Sequence, residues 1–75
     1  MTELEFLDHV KSKLEPVEVQ AFHRRIISLQ SNLTYWSNRQ SHEKASERQE
    51  AKEEFRRCEQ LLVAVMKDMR KKDKE

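Results

Sequence analysis

The chain has 75 residues, room for one small domain. Fifteen Lys and Arg stand against fourteen Asp and Glu, and the resulting net charge of +1 lacks the basic excess of a domain that lives on nucleic acid or an anionic membrane. With no glycine, one proline and 39% charged residues of both signs, tight-turned strand folds are disfavoured and long solvated helices are expected.

A single core in a chain this short supplies roughly 3–5 kcal/mol, so a supplement is usual: disulfides, a metal or self-association. The lone cysteine, Cys58, allows no intrachain disulfide. Oligomerisation or folding on a partner is therefore the expected supplement. No apolar run approaches the roughly 18 residues of a membrane span. The N-terminal stretch is acidic and amphipathic, unlike a signal peptide. A free cysteine on an apolar face fits a reducing interior, and a cytoplasmic location is expected.

Thr2 and Glu5 form a Thr-x-x-Glu capping box before Leu4, Phe6, Leu7, Val10 and Leu14 at helical spacing. These predict a first helix over about 2–14, with Glu3, Glu5 and Asp8 near its positive end and Lys11 and Lys13 near its negative end. Pro16 disfavours helical geometry at Glu15 yet suits a first helical turn. A second helix over about 16–37 follows. Its seam is Val19, Phe22, Ile26, Leu29, Leu33 and Trp36, at alternating steps of three and four. Val17, Ala21 and Tyr35 give the same helix a second apolar side.

Residues 37–46 are polar throughout and predict a turn at about 38–42. Ser46 and Gln49 make a second capping box, with Ser41 an alternative cap. The third helix is expected over about 41–71, with a frayed tail at 72–75. Its seam is Ala51, Phe55, Cys58, Leu62, Val65 and Met69. The two seams differ in frame by one residue. Either a turn folds the second and third helices into an antiparallel hairpin, or one long helix absorbs the slip with eleven-residue repeats. The rod would put Gln40, Lys44 and Glu47 on its seam, a poor core, so the hairpin is preferred. Residues 61–66 are apolar all round and need cover on several sides. Acidic residues Glu43, Glu47, Glu50 and Glu54 run beside basic Lys44, Arg48, Lys52 and Arg56, as on a solvated face or an orientation-setting edge. The expected fold is all-α: a short N-terminal helix, then an antiparallel two-helix coiled-coil hairpin, assembled as an oligomeric helical bundle.

His9, His23 and His42 are scattered, with no His-Glu-x-x-His and no Cys-x-x-Cys, so no metal or cofactor is expected. Cys58 on the seam reads as a small core residue, not a nucleophile. Without glycine there is no nucleophile elbow, P-loop or dinucleotide fingerprint. No catalytic residue is expected. The expected function is a non-enzymatic interaction module that self-associates and binds, or inhibits, another protein. Its expected interface residues are Val19, Phe22, Ile26, Leu29, Leu33, Trp36, Phe55, Leu62 and Met69. The alternative is a homo-oligomeric binder of a small anionic ligand such as a nucleotide, through Arg24, Arg25, Tyr35 and Arg39, with Asn38 and His42 nearby. A further alternative is weak nucleic-acid binding through the third helix and its basic tail.

Overall fold

The computed structural model describes residues 2–41 and 44–74. Among them, α1 (Glu3–Val10), a 3-10 turn (Lys11–Lys13), α2 (Pro16–Arg39) and α3 (Ala45–Lys74) follow in chain order. His42 and Glu43 lie outside the described residues.

Thr2 stands in extended backbone and caps α1. Its hydroxyl accepts from the Glu5 amide at 3.2 Å and donates to the Glu5 carboxylate at 3.1 Å. The first helix is shorter than its apolar spacing implies. After Val10 the chain tightens into the 3-10 turn, and Leu14 and Glu15 are extended. The proline ring explains Glu15, because it crowds a helical conformation in the residue before it. Pro16 then opens α2, and the Glu18 side chain reaches back to accept from the Glu15 amide at 3.2 Å.

α2 ends without glycine. Gln40 keeps right-handed geometry and its amide donates to the carbonyls of Trp36 and Ser37. The Ser41 hydroxyl donates to the Asn38 carbonyl at 3.0 Å, occupying another carbonyl of the last turn. No described residue has positive φ. α3 starts at Ala45, later than the expected 41, so Ser46 lies inside the helix and is not its cap. α3 also runs on through Lys74, across the segment expected to fray. Lys72 and Asp73 are held there by α2 and by the 3-10 turn: Lys72 pairs with Glu18 at 3.3 Å and Asp73 with Lys13 at 3.4 Å.

α2 and α3 pack against each other as an antiparallel hairpin. Glu18 sits opposite Lys72, and Arg25 lies 3.8 Å from Asp68. Further along, Leu29 shares a groove with Leu61 and Val65, and Leu33 shares one with Leu62. The frame slip is thus the signature of a fold-back rather than a rod. The molecule measures 47 × 20 × 17 Å, and its long dimension is that of the 30-residue α3.

The core gathers where α1 lies on the hairpin. Leu7, Val10 and Leu14 meet Phe22 and Ile26 of α2 and Val65 and Met69 of α3. Leu4, Phe6, Val19, Leu29 and Met66 pack around them. Val10, Ile26, Val65 and Met69 are wholly buried. Each side chain of this kind contributes roughly 1.5–3 kcal/mol by leaving water. α1 therefore acts as a third wall over one half of the hairpin.

Candidate interaction surface

The seam residues of α2 and α3 turn inward, toward each other. Phe22, Ile26, Leu62 and Met69 are buried within this one chain, so their contacts are intramolecular. Val19, Leu29, Leu33, Trp36 and Phe55 are half-buried and keep part of their surface open. Two apolar grooves lie along the hairpin, one on each flank.

On the α1 flank, Gln30 donates to Glu3 at 3.2 Å and marks where α1 begins over α2. Beyond Glu3 the flank lies bare. Leu33, Leu62, Val63 and Met66 line a groove there of about 430 Å³, with Glu59 and Arg70 on its rim. The other flank carries no α1 residue in its lining. Leu29 and Leu61, over the buried Val65, line a groove of about 360 Å³, bordered by Arg24, Arg25 and Ser28. Leu61 is 47% exposed and Val63 is 54% exposed. Both belong to the run 61–66, whose all-round apolar character makes it more than one hairpin partner can cover. α1 covers part of it, through Val65 and Met66.

The polar candidates separate into two groups. The Arg25 guanidinium lies 5.8 Å from the Phe22 ring centroid and pairs with Asp68. Arg24 is exposed beside it at the groove border. Toward the hairpin tip, the Arg39 guanidinium lies 5.5 Å from the Tyr35 ring, and Tyr35 meets Trp36 edge-on at 4.8 Å. Ten residues of helix, about 15 Å, separate Arg25 from Tyr35. Within one chain the structure does not bring Arg24 and Arg25 together with Tyr35 and Arg39.

Electrostatics follow the hairpin ends. The Glu15 amide that donates to it, and Lys72 beside it, hold the Glu18 carboxyl below the ordinary carboxylate range. Cys58 is a buried free thiol on the α3 seam. Among the described residues, no group of three or more His, Cys, Asp or Glu is placed to hold a metal ion. No helix of the described residues is long and apolar enough to cross a membrane. Sequence reasoning found the apolar run 61–66 but missed Asp68, which pairs with Arg25 across the hairpin. Arg57, Leu61 and Asp68 share helical spacing, which puts opposite charges at the two ends of one stripe.

No family model, no curated protein and no solved structure matches the chain.

Proposed function

We propose that this chain is a non-enzymatic helical interaction module that self-associates and binds another protein. The observation that carries this is the asymmetry of the hairpin's flanks. One is partly walled by α1, whereas the other leaves Leu29 and Leu61 facing an open groove above the buried Val65. In a chain with so small a core, covering that groove adds apolar burial that the monomer lacks. The buried free thiol at Cys58 is suited to a reducing compartment, and we place the protein in the cytoplasm.

Sedimentation equilibrium over a rising concentration series tests self-association directly, with a mass above 9.1 kDa as the expected result. Native mass spectrometry of the protein isolated from its own cell tests the second half, with a stoichiometric protein partner expected. A monomeric mass at every concentration, with no partner in the isolated material, overturns the proposal.

A further inference from the structure

We infer that the open groove between α2 and α3 is covered by the same groove of a second copy, each helix lying antiparallel on its own counterpart. This rests on the self-association proposed above and specifies its geometry. The warrant is a charge and size pattern that complements itself about a single axis.

On α3, Glu54, Arg57, Leu61 and Asp68 share one stripe, at helical steps of three, four and seven. On α2, the matching stripe is Arg25, Leu29, Asn32 and Trp36. Consider a two-fold axis lying in the interface and perpendicular to the helices. Such an axis reverses each helix and sets it against its own copy. Let it cross α3 between Leu61 and Ala64. Arg57 then meets Asp68 of the second copy, Glu54 meets Lys71, and Leu61 meets the small Ala64. Within one chain, Arg57 pairs with Glu54 at 3.4 Å and Asp68 with Arg25 at 3.8 Å.

The hairpin register confines α2 to a narrow range. Glu18 beside Lys72 and Arg25 beside Asp68 put residues 27–31 level with the axis, and Ser28 and Leu29 lie within that span. The same operation that pairs the α3 charges then sets Trp36 against Ala21, a large ring against a small side chain. It also brings Glu18 toward Arg39 and Arg25 opposite Asn32. No like charges meet among these pairs. Both helices are thus complementary to their own copies about one axis. The product is a four-helix layer pair in which every neighbour is antiparallel. The two α1 helices lie on its outer sides, at opposite ends.

The test uses the full chain and two single variants, Arg57→Asp and Asp68→Arg. Each alone places like charges together twice per dimer and is expected to weaken association by about tenfold or more at low salt. Combined in one chain, the two substitutions restore opposite charges and native-like association. Mixed as separate proteins, the two single variants are expected to form a heterodimer, distinguishable by mass. Far-UV circular dichroism checks that each variant keeps its helices. Trp36, the chain's one tryptophan, should shift its emission to shorter wavelength as the native protein associates. If the native chain assembles but the variants assemble equally well, or fail to pair with each other, this interface is wrong and self-association stands. If the native chain stays monomeric, both fall.

Discussion

The two ends of the molecule are built from the same two helices and differ in one wall. From Pro16 to about Gln30, and over the facing part of α3, α1 closes a three-sided core in which Val10, Ile26, Val65 and Met69 lose all contact with solvent. Toward the turn, α2 and α3 are alone. There Ala51 and Cys58 are buried because they are small and lie under the facing helix, whereas Leu33, Trp36 and Phe55 stay half in water. Two amphipathic helices shield small residues, and Leu62 directly between them, but leave most of the large ones there partly exposed. The difference locates both the stability of the chain and its capacity for contact.

The largest expected effect breaks the walled end. Ile26→Ala removes a wholly buried side chain and should cost about 2–5 kcal/mol. That is comparable to the whole stability of a chain this size, so thermal unfolding followed by circular dichroism should show loss of the native transition. Leu33→Ala at the open end removes a side chain already half in water. It should cost about 1–2 kcal/mol and leave a shifted but cooperative transition. Equal effects at the two positions would remove the distinction between the ends.

Hydrogen exchange sharpens the same contrast without mutation. Amides over 47–57 should exchange at least about tenfold faster than those over 62–72 of the same helix, because the unwalled turns open locally. Cys58 is a chemical probe of that opening. The residue is 5% exposed, so alkylation should be slow and limited by local separation of the helices near the tip. An alkylation rate equal to that of a small model thiol would show that α3 does not bury it.

The smallest effect lies at the helix start. The Glu18 carboxyl is held below its ordinary range, first by the Glu15 amide and then by Lys72. A folded-state value below the unfolded one stabilises the native chain above the unfolded value, about pH 4.3. That contribution disappears as the pH falls through the lowered folded value. Glu18→Gln should therefore be slightly less stable than the native chain at neutral pH. The gap should close on acidification below the ordinary carboxylate range. A gap that persists there would assign the effect to packing instead of charge.

Much of this fold was legible because apolar spacing is a strong signal in a chain without glycine. The seams on α2 and α3, their frame slip and the extended backbone at Glu15 all follow from side-chain volume and proline sterics. The end points did not follow. Ser46 satisfied a capping pattern, yet the helix begins one residue before it, at Ala45. The spacing predicts a frayed tail at 72–75. It is helical through Lys74 because Glu18 and Lys13, remote in sequence, reach Lys72 and Asp73. Local pattern carries no information about such long-range pairs. It also leaves open which flank α1 takes, since the apolar residues of α1 would suit either groove. Gln30 bonded to Glu3 and Met66 packed on the core mark the chosen side. On the candidate surface, Asp68 acquires significance only once the hairpin register sets it beside Arg25 of α2.

The contact between Lys13 and Asp73, sixty residues apart, has a consequence for the order of folding. The hairpin can form around a short connection, at low cost in chain entropy. α1 has no complete binding surface until the far end of α3 has come back alongside α2, bringing Val65 and Met69 into place. Closure of that larger loop is the slower and costlier event. Of the three α-helices, α1 is thus expected to dock last. Until it does, the most apolar stretch of the chain, the future floor beneath Val10, faces outward, ready for whatever helix arrives first.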